Sequence, residues 1–332
     1  MPKLLTALLR GRLGGIAAVG TLAVLVPAGA IAAPGSPAAS APGPARADAA
    51  TVAATVAGVT PAKAPTAGVL ASDRDRGPLI VAHRGASGHA PENTLAAVEA
   101  ADELDTEWVE TDVQRSADGE LVLMHDTTLS RTTNVEELFP DRAPWNVSDF
   151  TAAEIATLDA GSWFGAEFAD EPVPTLGDYL DLLGENRQSL LLEIKAPELY
   201  PGIEAEILDE LGDEGWLRGR PGDRLVVQSF NADSVRTVHE LSPRVITGFL
   251  GTPSLADVPD YAEFADQINP RYGDLTAEYV AGIQDVRGAH GRPLQVYAWT
   301  INDGATAARI AALGVDGIIT NFPERVREGL ED

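Results

Sequence analysis

The sequence contains no cysteine. A chain without thiols cannot form disulfides, thiolate metal sites or a cysteine nucleophile. Export remains possible, because 332 residues that are 45% hydrophobic can bury a core large enough to fold without disulfides. Basic residues are also scarce, with 24 Lys and Arg against 50 Asp and Glu and a net charge of -26. Such a surface repels polyanions, so we expect no nucleic-acid partner.

The amino terminus has the pattern of an export signal. Basic residues at Lys3, Arg10 and Arg12 precede an uncharged run from Leu13 to Val26, and small residues follow. We expect a signal peptide over residues 1–32, cleaved near Ala32, with Ala47 as the second choice. An uncleaved membrane anchor is the alternative, but the apolar run is shorter than the ~20 residues that a span needs. We therefore expect a secreted, extracellular protein that has no stable membrane insertion after cleavage.

Two further regions follow the expected signal. Residues 33–76 are rich in Ala and Pro and contain few large apolar side chains, which is typical of a disordered linker. Residues 77–332 have the composition of a folded domain, and no internal repeat of fixed period is visible in them.

Short β-rich runs alternate with helical stretches in the domain, a pattern typical of βα units with a parallel sheet. There are nine such runs: Leu79 to His83, Trp108 to Val113, Leu121 to His125, Leu190 to Ile194, Leu225 to Phe230, Val245 to Leu250, Asp266 to Asn269, Leu294 to Thr300 and Gly317 to Thr320. Only residues 114–120 separate the second run from the third, too few for a parallel crossover, so these two runs should form an antiparallel hairpin. Eight parallel strands remain, and we predict a somewhat irregular (β/α)8 TIM barrel. A doubly wound open sheet is the alternative.

A long segment after the His125 strand, at about residues 127–174, predicts a small helical insertion over the barrel mouth. The stretch from Ser148 to Leu158 resembles a helix, and Thr151 with Glu154 matches a capping box.

The polar residues near the ends of the predicted strands are the candidate site, since TIM barrels place their active sites there. Glu110 and Asp112 alternate with apolar residues and should point to one side of their strand. Two carboxylates aimed into a barrel repel each other unless a cation lies between them, so a divalent ion is one explanation and a solvated polar face is the other. Glu193 and Lys195 repeat this spacing, either as a further metal ligand and a phosphate-binding cation or as a structural salt bridge.

Three more residues could act on a phosphate ester. The first strand runs into His83 and Arg84, where a guanidinium can grip two phosphate oxygens and an imidazole can move a proton. His125 ends the hairpin strand, and cleavage of a phosphodiester needs one proton acceptor and one proton donor. The remaining histidines, His89, His239 and His290, have no such neighbours in the sequence, and we expect them at the surface.

Eight motifs together resemble the bacterial glycerophosphodiester phosphodiesterase family. In order along the chain they are His83-Arg84-Gly85, Pro91-Glu92-Asn93-Thr94, Glu110-x-Asp112-Val113, Val122-Leu123-Met124-His125-Asp126, Leu192-Glu193-Ile194-Lys195, Gln228-Ser229-Phe230, Trp299-Thr300 and Asp316-Gly317-Ile318-Ile319-Thr320. The resemblance implies a barrel of the phosphatidylinositol-phospholipase-C-like superfamily with a catalytic divalent ion, Ca or Mg.

The resemblance also implies a role for each site residue. Glu110, Asp112 and Glu193 would hold the metal, His83 and His125 would be the general base and acid, and Arg84 and Lys195 would bind the phosphate. Trp299 is similar to the aromatic residue that packs against the glycerol moiety, and Glu92 would steady Arg84 or a metal ligand. One departure is visible, because Asn321 stands where the family usually has Asp.

We therefore expect metal-dependent hydrolysis of a small-molecule glycerophosphodiester to sn-glycerol 3-phosphate and an alcohol, with no protein partner. Lysophospholipids, phospholipids or wall teichoic acid are alternative substrates of the same chemistry, and a noncatalytic binding protein on the same barrel is the alternative of another class. A zinc hydrolase is disfavoured because the candidate ligands are all hard oxygens.

Overall fold

The computed structural model describes residues 77–220 and 222–331. All of them belong to the unit Ala62–Asp332. The expected signal peptide and linker lie outside the described residues and stay predictions.

Nine strands form one sheet, and most of their residues are apolar and buried on both faces, as in parallel barrels. Their bounds are β1 Leu79–Ala82, β2 Trp108–Arg115, β3 Leu121–Leu123, β4 Ser189–Ile194, β5 Leu225–Ser229, β6 Ile246–Leu250, β7 Gln267–Asn269, β8 Gln295–Ala298 and β9 Gly317–Thr320.

Helices connect the strands and cover the outside of the sheet, except for α2 and α3, which lie in the insertion after β3. Their bounds are α1 Leu95–Glu103, α2 Val135–Leu138, α3 Ala152–Ile155, α4 Leu176–Asn186, α5 Ile203–Asp213, α6 Ala232–Leu241, α7 Val258–Ala262, α8 Ala277–Gln284, α9 Gly304–Ala311 and α10 Pro323–Glu331. None of these helices is long and apolar enough to cross a lipid bilayer, a finding that concerns only the described part of the chain.

The sheet closes into a barrel, as predicted. Its strand order is β1-β9-β8-β7-β6-β5-β4-β2-β3, and a parallel pairing of β1 with β2 joins the two sides. Strand β3 pairs antiparallel with β2 through Val113 and Leu123, so the predicted hairpin is confirmed. The other eight strands are parallel, which confirms the (β/α)8 barrel and excludes the doubly wound open sheet.

Alternation along the strands separates two apolar layers. On β4, Leu190, Leu192 and Ile194 belong to the cluster that packs under the helices, whereas Leu191 belongs to the cluster inside the barrel. Glu193 has the same parity as Leu191 and therefore lies on the interior face. The same alternation on β2 places Glu110 and Asp112 inside.

The insertion after β3 is present but contains less helix than the sequence predicts. The stretch from Ser148 to Leu158 divides into a 3-10 turn, Val147–Asp149, and the four-residue helix α3, because Phe150 takes an extended backbone and buries its ring in the insertion's own core. Thr151 caps α3, and both hydrogen bonds of the predicted capping box with Glu154 are formed.

Candidate active site

A pocket opens at the carboxyl ends of the parallel strands. Seven of the nine predicted site residues line it: His83, Arg84, Glu110, His125, Glu193, Lys195 and Trp299. Asp112 is fully buried, and Glu92 contacts the side chain of Arg84. The fold therefore brings together residues that are more than 200 positions apart in the sequence.

Three carboxylates form one cluster in this pocket. Glu110, Asp112 and Glu193 are buried, and each offers an oxygen within 4.8 Å of the others. The register explains their proximity, since Asp112 of β2 pairs directly with Glu193 of β4. Within residues 77–220 and 222–331, no other group of three possible ligands is found at this spacing.

Two cations lie against the cluster. Lys195 Nζ is 2.5 Å from Glu193 Oε1 and 3.2 Å from Asp112 Oδ1. Arg84 Nε is 3.2 Å from Asp112 Oδ2, and Arg84 Nη1 donates to Glu92 Oε1 at 2.8 Å. These ion pairs partly balance the buried negative charge, and they hold both cations at the floor of the pocket.

Burial and repulsion change the pKa values of the three carboxyl groups in different directions. Burial raises the pKa of Glu110 well above its usual value, and the charges of Asp112 and Glu193 raise it further. Burial and Asp112 also raise the pKa of Glu193 to about 8, despite the opposing charge of Lys195. Burial acts in the same direction on Asp112, but Lys195 and Arg84 hold its pKa well below the ordinary value. Of the three carboxyl groups, Asp112 is therefore the one whose charged form its neighbours stabilise most.

His83 is held as a neutral imidazole. Its Nδ1 donates to Asn321 Oδ1 at 2.7 Å, so its Nε2 is left without a proton. This nitrogen lies 4.0 Å from Glu110 Oε2. Burial and the charge of Arg84 lower the pKa of His83 to about 3. His83 thus presents a proton acceptor to the pocket.

His125 has a different partner. Its Nδ1 lies 2.6 Å from Asp126 Oδ1, and Arg131 Nε donates to the other carboxylate oxygen at 2.6 Å. The Asp126 carboxylate holds the ring through Nδ1, and His125 lines the pocket. Arg131 also donates two hydrogen bonds to Glu92, so one guanidinium links the supports of Arg84 and His125.

Asn93 is a supporting residue whose function the sequence analysis missed. Its Nδ2 donates to Asp112 Oδ2 at 2.9 Å, and its Oδ1 accepts from the Thr111 hydroxyl and from the backbone N–H of Asp112. Asn93 has a φ of 59°, and Arg84 has a φ of 57°. Both lie in the left-handed region that few L-residues adopt, which is typical of residues held in place for a function.

Gly85 permits the close approach between the loop after β1 and helix α1. Its φ is +79°, and a Cβ atom at this position would lie 2.5 Å from the Cβ of Ala97. Only glycine meets both conditions, so the motif His83-Arg84-Gly85 contains a residue required by packing and two that face the pocket.

Two aromatic residues form an apolar wall of the pocket. Trp299 donates from its indole N–H to the backbone oxygen of Asn269 at 2.7 Å, which fixes the ring. Phe230 packs edge-on against it at a centroid distance of 5.6 Å and is 51% exposed. Lys195 Nζ lies 5.5 Å from the centre of the Phe230 ring. This wall meets the cationic floor, so the pocket has one polar side and one apolar side.

The remaining histidines are only partly at the surface. His89 pairs with Glu324 and is 40% exposed, as expected. The expectation for His290 is wrong, because its side chain is 17% exposed and its Nδ1 contacts the buried carboxylate of Asp266 at 2.9 Å. The nearby loop folds over the amino end of β7, which sequence periodicity does not reveal.

A parallel α/β barrel with clustered carboxylates, two cations and two histidines at its carboxyl end defines the class of phosphodiester-cleaving hydrolases. Residues 83–325 match the Glycerophosphoryl diester phosphodiesterase family. The chain therefore belongs to this family, as the resemblance of its motifs predicts. Membership assigns to the chain the activity of a glycerophosphodiester phosphodiesterase.

Sequence matches to related proteins cover nearly the whole domain. The glycerophosphodiester phosphodiesterase of Caldanaerobacter subterraneus is 36% identical over 249 residues, which cover 74% of this chain and 95% of that protein. The Bacillus subtilis enzyme of the same name is 35% identical over 285 residues, 80% of this chain and 91% of the relative. A phosphodiesterase structure from Oleispira antarctica, in complex with the product sn-glycerol-3-phosphate, superposes with a TM-score of 0.67 at 29% identity and covers 78% of this chain and 98% of its own.

Proposed function

We propose that this enzyme hydrolyses glycerophosphodiesters to sn-glycerol 3-phosphate and an alcohol, that the reaction depends on Ca or Mg, and that His83 and His125 are its base and acid. One observation carries the proposal. A single pocket joins three carboxylates, two cations, two differently supported histidines and an aromatic wall. This set matches the parts of a glycerophosphodiester, which has an anionic phosphate, a polyol and a leaving alkoxide.

The carboxylate cluster fits a divalent cation. Asp112 Oδ1 is buried and accepts no hydrogen bond, although it lies at ion-pair distance from Lys195. A carboxylate oxygen has two lone pairs, so Oδ1 can bind a metal ion in addition to its ion pair with Lys195. The donors Glu110, Asp112 and Glu193 are hard oxygens, which suit Ca or Mg. When bound, the ion would polarise the phosphate and stabilise negative charge there.

Arg84 and Lys195 would bind the phosphate from the floor of the pocket. Both are already anchored by carboxylates, so little side-chain freedom is lost when an anion arrives. The guanidinium of Arg84 can offer paired N–H groups to two oxygens, whereas Lys195 adds a compact charge.

The two histidines would divide the proton transfers. His83, with an unprotonated Nε2, would accept the proton of the attacking nucleophile, which is a glycerol hydroxyl or water. His125, supported by Asp126, would donate a proton to the departing alkoxide. Trp299 and Phe230 would pack against the glycerol carbons and exclude water from one side.

A second candidate substrate class is the lysophospholipids. Large apolar side chains are exposed in segments that follow the strands or belong to the insertion: Leu199 after β4 at 52%, Phe230 after β5 at 51%, and Trp163 at 43%. An acyl chain would find apolar surface there, so these lipids belong in any substrate test.

We also propose that the enzyme is exported and acts outside the cell. The support is the sequence pattern of residues 1–32, in which basic residues precede an apolar run and small residues.

The decisive experiment compares turnover of glycerophosphocholine, glycerophosphoethanolamine, a glycerol phosphate polymer and lysophosphatidylcholine, before and after chelation with EDTA. We expect the small diesters to be cleaved, activity to disappear with EDTA, and Ca or Mg to restore it. Full turnover after exhaustive chelation would exclude the metal, and turnover of lysophosphatidylcholine alone would favour the second candidate.

Glu193→Gln tests the cluster directly. The change removes one possible ligand charge from the buried group, so we expect at least a ~100-fold loss of kcat, on the scale of losses at groups that act on the transition state. Glu263→Gln removes a charge from a side chain that is 70% exposed and serves as the matched control. Equal activity of the two variants would contradict a metal at Glu193.

A further inference from the structure

A second, open cavity lies at the other end of the barrel. It is built from the segment before β5 and the segment before β6, at the amino ends of these strands. All eight barrel strands are parallel, so this cavity opens on the face opposite to the catalytic pocket.

Four arginines line this cavity: Arg218, Arg220, Arg224 and Arg244. The concentration is unusual in a chain with 24 basic and 50 acidic residues. Some other arginines in the described part of the chain pair with carboxylates, as Arg115 does with Glu206 and Arg142 with Glu154. None of the four in this cavity has a carboxylate within 4.0 Å among the described residues.

Arg224 is the central residue of the group. Its guanidinium stacks on the buried ring of Trp216 at 3.5 Å, which fixes its plane and leaves its edge to make hydrogen bonds. Its Nε is buried and has no hydrogen-bond partner. Burial lowers the pKa of Arg224, and no neighbouring carboxylate offsets this effect. A bound anion would supply the missing partner.

Two hydrogen bonds join described residues near Arg224. Arg244 Nη2 donates to the backbone oxygen of Gly219 at 2.8 Å. Asp223, the acidic residue nearest in sequence, accepts from the backbone N–H of Arg220 at 3.1 Å and does not pair with a guanidinium. Neither of these hydrogen bonds neutralises the charge of an arginine side chain.

We propose that this cavity binds a phosphate group at a site separate from the catalytic pocket. Arginine edges recognise tetrahedral oxyanions through paired hydrogen bonds, and a concave site focuses their positive field. The phosphate can come from a small monoester in solution, such as the reaction product, or from a phosphodiester polymer. The proposal goes beyond catalysis, and its test does not require turnover.

The test is isothermal titration calorimetry of the full-length protein with sn-glycerol 3-phosphate and, separately, with a glycerol phosphate decamer. We expect two monoester sites in the wild type and one in Arg224→Gln, whose distal affinity falls at least ~10-fold through loss of a charged hydrogen bond. Arg218→Gln combined with Arg220→Gln should act in the same way while leaving the packing on Trp216 intact. Arg309 is an exposed arginine of α9, and Arg309→Gln is the control that removes one positive charge, as Arg224→Gln does.

The outcomes distinguish the source of the phosphate and the existence of the site. Much tighter binding of the decamer than of the monoester, lost in both arginine variants, assigns the site to a polymer. Equal affinity for the decamer and the monoester assigns the site to the small ester. Unchanged kcat/KM in the variants confirms that the catalytic pocket is intact. If the variants bind either ligand with wild-type stoichiometry and affinity, the proposal is overturned.

Discussion

His83 and His125 line the same pocket but differ in the groups that hold them. His83 faces a neutral amide, Asn321, whereas His125 faces the carboxylate of Asp126. An amide oxygen fixes the tautomer of His83 without adding a negative charge, whereas the carboxylate of Asp126 orients the ring of His125. Asn321, the departure from the usual family residue, therefore suits a histidine that must begin the reaction unprotonated.

This difference predicts how the two histidines respond to the leaving group. His125→Ala should reduce kcat/KM on glycerophosphocholine by ~100-fold or more, the usual scale of general acid catalysis. It should matter far less for the glycerol p-nitrophenyl phosphodiester, whose phenolate leaves without a proton. His83→Ala should reduce turnover of both substrates about equally. If His83→Ala, and not His125→Ala, keeps near-normal turnover of the p-nitrophenyl diester, His83 is the acid and His125 is the base.

Arg84 combines several contacts that a lysine cannot reproduce. Its backbone N–H donates to Glu110 Oε2 at 2.9 Å, and its guanidinium reaches both Glu92 and Asp112. We predict that Arg84→Lys keeps the charge but loses at least ~10-fold in kcat/KM, because an ammonium cannot make paired hydrogen bonds to two phosphate oxygens. Steady-state kinetics measure the effect. A variant within a few-fold of wild type would show that Arg84 contributes only charge.

At the scale of the elements, helices α4 and α5 meet at the side chain of Glu210, where burial disfavours the charged form of the carboxyl group. Glu210 of α5 accepts a hydrogen bond from the backbone of Gly177 at the start of α4. Burial raises the pKa of Glu210 to about 7, and the charges of Glu120 and Glu214 act in the same direction. The folded protein therefore keeps a proton that the unfolded chain releases at lower pH.

Glu210→Gln should consequently stabilise the protein in a pH-dependent manner. The destabilisation by Glu210 is absent below its ordinary pKa of 4.5, grows as the pH rises, and is complete above about 7. Because solvent screens this half-buried group, we expect a modest gain in Tm, on the order of 2 °C at pH 8, and a smaller gain at pH 5. Thermal melts at both pH values test this, with Glu328→Gln of α10 as control. An equal gain at both pH values would contradict the stated pKa.

At the scale of the whole molecule, two local groups of cations contrast with the acidic net charge. The chain has a net charge of -26, yet two cations meet the catalytic pocket and four arginines line the opposite cavity. Net charge governs solubility and nonspecific binding, whereas a site depends on its local groups. An acidic enzyme can therefore bind anionic ligands at both ends of its barrel.

The amino terminus carries the prediction that concerns the complete chain. If residues 1–32 are an export signal, protein recovered from culture supernatant should lack them, with a new amino terminus near residue 33 or, as the second choice, near residue 48. Intact-mass measurement of the secreted and membrane fractions shows whether residues 1–32 have been removed. An intact Met1 form, or recovery only from membranes, would show that the segment is not removed.

The sequence by itself determined the order of elements and the face on which each strand residue lies. Glu110, Asp112 and Glu193 could be placed inside the barrel because side chains alternate along any strand, which is a local property of the backbone. The short link before β3 likewise predicted the hairpin. The family motifs marked the residues that the pocket brings together.

Only the tertiary structure decided which groups hold these residues. Asn321 meets His83 across 238 positions, and Asn93 supports Asp112 through a left-handed backbone that no periodicity encodes. Arg131, in the insertion, joins Glu92 to Asp126. The arginine cavity likewise arises where two separate loops converge. These contacts depend on register and barrel closure, which fix distances between segments remote in sequence, and local patterns carry no information about such distances.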